Sequence, residues 1–329
     1  MTMNNIGELE KRGALVRARI ERYMKEIEPD GLRESCTLYM KGGKMLRPSL
    51  ALITAGAVGA DESLAVDFAA AIEILNVYTL IHDDIIDKDA MRRGGPTVHA
   101  KFDTATAILA GDMNHSLSVL IFLSASGLGD AMSVRIVELL EKTSRNICEG
   151  QFYDYAMEKG KMPCTLDNYL KMAEHKTAWL YAAAAQGGSI IANADKEKAS
   201  RFFEFGRLLG IGFQIWDDVL GLTADEKELK KPVGSDVREG KMSFPIIHFL
   251  DNCDKLQKEK LLSVFGKEIP RNMNEFRQMF IDTGSIEYAR KASERYAEGA
   301  RLLIPKLTSN TYYAQLLSGF VDFSVQRAY

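Results

Sequence analysis

Cysteine is scarce and unpatterned. Cys36, Cys148, Cys164 and Cys253 form no CxxC pair and no metal-ligand spacing, which excludes a disulfide framework and fits reduced thiols in a cytosolic protein. Neither sign of charge dominates: 42 Lys and Arg against 45 Asp and Glu leave a net charge of −3, which argues against a general binder of nucleic acid or anionic membrane. No window holds roughly 18 uninterrupted apolar residues. The longest candidate, Phe68 to Ile81, is cut by Glu73 and Asn76 and reads as a buried helix, with no transmembrane segment expected. Met1 to Lys11 has no apolar signal core, so the expected location is the cytoplasm. There is no recognisable Ser/His/Asp or Cys/His constellation, and His99, His115, His175 and His248 share no spacing. The chemistry must lie in local clusters of other residue types.

Proline is also rare, at 8 residues in 329, while Ala, Leu, Glu, Lys and Met fill segments whose apolar residues recur at three and four. Met132, Ile136, Leu139 and Leu140 form one such stripe, Phe202, Phe203, Phe205, Leu208 and Leu209 a second, and Leu316, Leu317, Phe320, Val321 and Val325 a third. No alternating strand run competes. The expectation is an all-α protein of about ten or more helices in a single bundle, one domain over 1–329. Breaks fall at Lys41 to Pro48, Lys88 to Pro96, Lys159 to Pro163 and Gly221 to Pro245. The last is the longest and most polar, and it reads as a mobile connection able to close over a site.

Along the helix predicted over Val66 to Asp87, Glu73, Asn76, Asp83 and Asp87 are spaced by three, seven and four. At about 100° per residue they line one stripe of an otherwise apolar helix. Such a stripe must face water, a ligand or a cavity, because burying unpaired carboxylates costs several kcal/mol. Asp83, Asp84 and Asp87 crowd one turn and repel one another unless cations sit between them, and oxygen-only ligands favour magnesium or calcium over zinc. His82 beside them reads as a packed neighbour rather than a ligand. Taken alone, Asp-Asp-Ile-Ile-Asp reads as a solvated helix end. A second cluster changes that reading: Phe213-Gln214-Ile215-Trp216-Asp217-Asp218 again ends an apolar run in paired carboxylates, after Gly206 and Gly210, whose spacing permits close helix packing. Two helices presenting such ends would form a multi-metal site able to clamp a diphosphate.

Phosphates also need cations from the protein. Gly42-Gly43-Lys44-Met45-Leu46-Arg47-Pro48 puts Lys44 and Arg47 three apart near a helix start, where amides and side chains favour anions. Arg92-Arg93-Gly94-Gly95-Pro96 follows the first acidic cluster by five residues and supplies planar forks suited to phosphate oxygens.

The ordered set Gly-Gly-Lys-x-x-Arg-Pro, Asp-Asp-x-x-Asp-x-x-x-x-Arg-Arg-Gly-x-Pro-Thr, Lys176-Thr177, Gln214-x-x-Asp217-Asp218, Lys231-Pro232 and Gly240-Lys241 resembles the motifs of the trans-polyprenyl diphosphate synthases. The resemblance runs from about Lys41 to Lys241, with a similar C-terminal end at Phe320 to Arg327. It implies the all-α isoprenoid synthase fold around a central cavity, and a homodimer. The implied activity is a prenyltransferase that joins isopentenyl diphosphate head to tail to an allylic diphosphate. It implies two or three magnesium ions, held by Asp83, Asp84 and Asp87 with Asp217 and Asp218, on the allylic diphosphate. Arg92, Lys176, Lys231 and Lys241 would grip that diphosphate; Lys44, Arg47, Asn76 and Arg93 would bind isopentenyl diphosphate. Thr177 and Gln214, with Lys176, would stand near the developing allylic cation, and Gln151 and Asp154 match a Gln-x-x-Asp pair of the same pocket. Tyr78, five residues before Asp83, and Thr79 lie where related synthases set chain length. A bulky aromatic there is associated with products of about four isoprene units, so geranylgeranyl diphosphate is expected and farnesyl or longer chains are the alternatives.

Three positions depart from the family pattern. Gly221 stands where many relatives carry a third aspartate, which weakens Asp218 more than Asp217; Asn76 replaces the usual His or Gln; and Met45 replaces a basic residue and is given no phosphate role. The two rival functions are a terpene cyclase, which has no use for Lys44, Arg47 and Arg93, and a non-catalytic partner subunit, which has no need to keep the first aspartate cluster.

Overall fold

Ten helices carry the chain as far as residue 223: α1 (Met3–Met24), α2 (Asp30–Thr37), α3 (Leu46–Val58), α4 (Val66–Asp87), α5 (Val98–Lys101), α6 (Thr104–Ala125), α7 (Asp130–Glu158), α8 (Leu166–Met172), α9 (Trp179–Ile191) and α10 (Lys196–Thr223). Further helices follow at Ser235–Glu239, Phe244–Asn252, Lys255–Val264, Asn274–Asp282, Ser285–Leu307 and Thr311–Gln326. These come from a computed structural model that describes residues 3–40, 42–125, 128–223, 235–267 and 274–326. The expected all-α class holds. Among the described residues the sheet is confined to one hairpin, β1 (Met91–Arg92) with β2 (Gly95–Pro96), pairing Met91 with Pro96 and Arg92 with Gly95. The residues divide into two compact units. The first comprises Met1–Arg145, Leu180–Gly206 and Leu303–Gly319; the second comprises Asn146–Trp179, Arg207–Leu302 and Phe320–Tyr329.

The first unit is organised on α4, whose Phe68, Ile72, Ile74 and Val77 are fully buried. Because these apolar residues surround the helix, it is a core element and not an amphipathic surface one. Its first turn is held by Asp67, which accepts from Tyr23 Oη at 2.7 Å and from Arg19. It stops at Lys88, which takes the left-handed conformation at φ 58° and returns its N–H to Asp84 and Ile85. Glycines let α9 come close: a Cβ on Gly187 would meet the Phe68 ring at 2.0 Å, and one on Gly188 would meet the Ala51 carbonyl at 2.1 Å. Gly206 does the same for α10, since a Cβ there would lie 2.5 Å from the Tyr181 carbonyl.

By length and composition alone, the stretches Glu62–Asp87 and Thr104–Leu123 could cross a membrane. In the first, 72% of the apolar window is buried, which makes it the core helix that the Phe68 to Ile81 reading expects. Only 39% of the second window is buried, and α6 leaves Leu109, Leu120 and Leu123 exposed on one face.

The second unit packs around Tyr169, Phe249 and Phe280, all fully buried, with Phe249 and Phe280 rings 4.7 Å apart. Thr165 caps α8 by accepting from the Asn168 N–H, and Asp254 with Gln257 forms a reciprocal capping box on the helix Lys255–Val264. Between α8 and α9 the helix widens into a π-helical turn over Ala173–Ala178. Such turns are rare and concentrate at functional sites, and this one bears Lys176 and Thr177.

Candidate active site

In the first unit the expected acidic stripe splits into two environments. Glu73 and Asn76 are buried, Asp83 and Asp87 are half-buried, and the Asp84 side chain is 1% exposed. Burial raises the Glu73 carboxyl above its ordinary range, and Arg93, with its guanidinium 4.0 Å away, and Arg47 oppose the rise. Asp84 is raised by the same cause and opposed by Arg92 and Tyr39. Its two oxygens are already used: Tyr39 Oη donates to one and Arg92 Nε to the other. The buried Asp84 carboxylate is thus held by the protein through both of its oxygens. His82 behaves as expected, with Nε2 at 3.2 Å from the Ile108 carbonyl and its ring 5.0 Å from that of Tyr78.

The hairpin explains the Arg-Arg-Gly-Gly-Pro run. Its two-residue turn places Arg93 at φ 53° and Gly94 at φ 81°, the paired positive values of the tight hairpin turn that matches strand twist. Adjacent arginines thereby address different partners. Arg92 turns to Asp84, with Asp89 at 3.7 Å and Asp83 at 3.9 Å. Arg93 turns to the Tyr39 carbonyl and, at 3.1 Å, the Gly42 carbonyl. A Cβ on Gly43, at φ 93°, would lie 3.0 Å from the Arg93 guanidinium, so the Gly42-Gly43 loop is moulded over that side chain. Lys44 is exposed on this loop. Arg47 lies with its guanidinium 4.5 Å from the centre of the Tyr181 ring, and its buried Nε has no hydrogen-bond partner among the described residues. Met45 is buried. Tyr78 is half-buried between His82 and His115, whose ring lies 5.2 Å away; the neighbouring Thr79 is half-buried and donates to the Asn76 carbonyl at 2.8 Å.

In the second unit a line of polar contacts begins at the π turn. Lys176 Nζ donates to Asp154 at 2.6 Å, and Thr177 Oγ1 donates to Gln214 Oε1 at 2.7 Å. Gln214 Nε2 donates to Asp218 Oδ1 at 3.0 Å, while Asp218 Oδ2 accepts from Tyr169 Oη at 2.6 Å and from the Phe244 N–H at 2.8 Å. Burial, with the charge of Asp236 adding to it, holds the Asp218 carboxyl well above its ordinary range; the donated hydrogen bonds pull the other way. Like Asp84, Asp218 is held by the protein through both of its oxygens. Asp217, one position earlier and so about 100° around the helix, is half-buried. Gln151 Nε2 is buried with no partner among the described residues. Lys241 is half-buried behind Gly240, with its own N–H on the Asp236 carbonyl at 2.8 Å. Lys231, Pro232, Gly234 and Arg327 lie outside the described residues.

Sequence reading missed Tyr39, Tyr169 and the π turn. Gly150 was equally silent. A Cβ there would sit 2.2 Å from the Lys176 backbone nitrogen, so its absence is what admits the π turn against α7. Its place directly before Gln151-x-x-Asp154 is the one signal that could have marked it.

Asp83, Asp84 and Asp89 with Arg92 beside them, on an all-α fold, make a charged site of the kind that suits anionic substrates. The family model for polyprenyl synthetase matches residues 29–281, and the chain belongs to that family and is a trans-prenyltransferase. It is 37% identical over 332 residues to a geranylgeranyl diphosphate synthase of Methanosarcina mazei, covering 100% of both chains. It is 36% identical over 304 residues to a geranylfarnesyl diphosphate synthase of Natronomonas pharaonis, covering 88% of this chain and 87% of that one. The structure superposes on the crystal structure of geranylgeranyl pyrophosphate synthetase from Pyrococcus horikoshii with a TM-score of 0.92, at 36% identity over 98% of each chain.

Proposed function

We propose that this prenyltransferase condenses isopentenyl diphosphate with an allylic diphosphate head to tail, releasing diphosphate, and that its product is geranylgeranyl diphosphate. The observation that carries the reading is the divergence of Arg92 and Arg93. One guanidinium joins Asp84, with Asp83 and Asp89 nearby, and the other joins the Tyr39 and Gly42 carbonyls, 4.0 Å from Glu73. Two separately supplied cationic groups suit two diphosphates, whereas a cyclase handles one.

The metal donors fit magnesium. Asp83 and Asp87 stand one helical turn apart on α4. Magnesium takes one or two carboxylates and fills its remaining positions with water and substrate phosphate oxygens, so such a pair suits it. Asp83, Asp87 and Asp217 would hold two or three ions on the allylic diphosphate, whose bound charge would make diphosphate a good leaving group. Arg92, Lys176, Lys231 and Lys241 would grip the same diphosphate, and Lys44, Arg47, Asn76 and Arg93 the isopentenyl one. As the allylic C–O bond breaks, the oxygens of Thr177 and Gln214 would face the cation. The isopentenyl double bond attacks it, and the departing diphosphate takes the released proton.

Tyr78 lies about 7.5 Å along α4 from Asp83 at 1.5 Å per residue, and its ring, braced by His82 and His115, supplies the floor that stops growth at four isoprene units. Relatives with geranylgeranyl and with geranylfarnesyl products are almost equally similar, so the longer product is the alternative. The chain passes five times between the two units, which supports 1–329 as one catalytic domain. The exposed leucines of α6 support a homodimer, checked by sedimentation, and a cytoplasmic location is part of the same proposal. The deciding assay combines the purified protein with magnesium, labelled isopentenyl diphosphate and dimethylallyl, geranyl or farnesyl diphosphate, with the products extracted and sized. A C20 product is expected; no incorporation with any primer overturns the reading.

A further inference from the structure

Arg47, the second residue of α3, is the single charged residue of that helix, and α9, which packs against it in the first unit, carries none. Neither helix supplies a carboxylate to hold the guanidinium. Close packing supplies a ring instead. Gly188 of α9 lies against α3, where a Cβ would meet the Ala51 carbonyl at 2.1 Å and Thr54 Oγ1 at 2.3 Å. Tyr181 stands seven residues before Gly188, and Arg47 four before Ala51, spacings that keep each pair on one helix face. The approach that seats Gly188 on α3 thereby brings the Tyr181 ring to Arg47, with 4.5 Å between guanidinium carbon and ring centre. On α10, a Cβ at Gly206 would lie 2.5 Å from the Tyr181 carbonyl and 2.6 Å from the Ala182 Cα, so the backbone behind the ring is fixed as well. Tyr181 is 1% exposed, and a ring enclosed to that degree has little freedom to move.

The three arginines of this unit's basic motifs are held in different ways. Arg92 spends Nε on Asp84, and Arg93 spends Nη1 on the Tyr39 and Gly42 carbonyls. Arg47 makes no hydrogen bond or ion pair among the described residues, and its Nε is buried without a partner. The Glu73 carboxyl feels the charge of Arg47, but it is Arg93 that comes to 4.0 Å from it. A ring face attracts a cation through its quadrupole and takes none of the five N–H donors of the fork. Those donors match phosphate oxygens, and a fork already held in place loses less freedom when a phosphate arrives.

We propose that Tyr181 is a positioning residue whose ring face holds the Arg47 guanidinium while leaving its donors for the diphosphate of isopentenyl diphosphate. The inference rests on the proposed assignment of Arg47 to that substrate. It gives a reason for an aromatic ring at this point of α9, among the alanines of Ala182 to Ala185.

The test uses the full-length enzyme with magnesium, isopentenyl diphosphate and farnesyl diphosphate. Arg47→Ala checks the assignment beneath the proposal: the KM for isopentenyl diphosphate should rise about a hundredfold, and an unchanged KM removes that reading and the inference with it. Tyr181→Leu keeps the apolar bulk and removes the ring face. It should raise the KM for isopentenyl diphosphate about tenfold, with the KM for farnesyl diphosphate and kcat at wild-type levels. Tyr181→Phe keeps the face and should hold both KM values within about twofold of wild type. Combined with Arg47→Ala, Tyr181→Leu should raise the KM no further, because its route of action is already cut. With the Arg47 assignment intact, four outcomes overturn the role of Tyr181. Equal rises of both KM values in Tyr181→Leu place its effect on the whole site. A lowered melting temperature with a wild-type KM for isopentenyl diphosphate makes the ring structural only. A Tyr181→Phe enzyme as impaired as Tyr181→Leu removes the ring face as the cause, and additive losses in the double variant place the action elsewhere than Arg47. If Tyr181→Leu does not fold, replacement of Tyr181 by phenylalanine and its mono-, di- and trifluorinated forms decides the question alone, since fluorine drains the ring face and nearly keeps its shape. The KM for isopentenyl diphosphate should climb with each fluorine at constant melting temperature, and a KM indifferent to fluorine overturns the proposal.

Discussion

Gly150→Ala adds one methyl group, and the structure gives that methyl nowhere to go. An ideal Cβ at this position lies 2.2 Å from the Lys176 nitrogen and 2.7 Å from both the His175 carbonyl carbon and the Lys176 Cα. Side-chain rotation relieves none of these contacts, since all three atoms are backbone. To reach even 3.0 Å the two segments must part by about 0.8 Å. Overpacking of this kind costs about 1–3 kcal/mol, which in a large domain lowers the melting temperature by about 2–4 °C for each kcal/mol. The displaced segment is the π turn that carries Lys176, with its 2.6 Å contact to Asp154, and Thr177. Misplacement of catalytic groups by about 1 Å costs up to about a hundredfold in rate. Gly150→Ala is therefore expected to lose about a hundredfold in kcat together with several degrees of melting temperature. Gly56→Ala is the matched control. Its Cβ would meet the Tyr313 ring at 2.2 Å, a side chain that can swing away, so it should lose stability and keep kcat. Steady-state incorporation of labelled isopentenyl diphosphate and thermal melts by circular dichroism read both quantities. Wild-type kcat in Gly150→Ala, or losses identical to those of Gly56→Ala, would refute the argument that this glycine sets the π turn.

On the metal role proposed for them, Asp83→Ala and Asp87→Ala should each lower turnover by about 3 kcal/mol or more while the melting temperature holds; near-normal turnover at saturating magnesium would remove the assignment. Arg93→Ala and Lys44→Ala should raise KM for isopentenyl diphosphate. Arg92→Ala should act on the allylic substrate and also cost about 3 kcal/mol of stability by stranding buried Asp84, so an Arg92→Ala protein with wild-type stability under urea denaturation would contradict the ion pair. Tyr78→Ala should lengthen the product by one or more five-carbon units, read by chromatography, and an unchanged length in an active variant would place the floor elsewhere. Burial raises the Glu73 carboxyl above the ordinary glutamate range, so the folded protein holds that proton more tightly than the unfolded chain. Its contribution to stability is largest below about pH 4.5 and is lost as pH rises through the folded value. Glu73→Gln should flatten that decline in urea denaturation from pH 4 to 8, and an unchanged slope would count against the burial argument.

Helical class, the core stripes and the ordered acidic and basic motifs were legible in the sequence because each depends on residues a few positions apart. A period of three and four marks a buried helix face wherever it occurs, and Ile136, Leu140, Phe202, Phe205, Leu317 and Val321 are buried as that period requires. Placement over short spacings was legible too: Asp83 and Asp87 share the last turn of α4, and Lys176 and Thr177 share one turn. What one line of letters could not separate was the duty of neighbouring, identical residues. Asp83 and Asp84 are told apart by Tyr39, 45 residues away, and Asp217 and Asp218 by Tyr169, 49 residues away. Arg92 and Arg93 part company through a left-handed turn that no apolar periodicity announces. Local spacing sets which residues share a face, but whether a carboxylate is spent inside the protein or left for a ligand depends on which distant donors the folded chain brings within 3 Å of it.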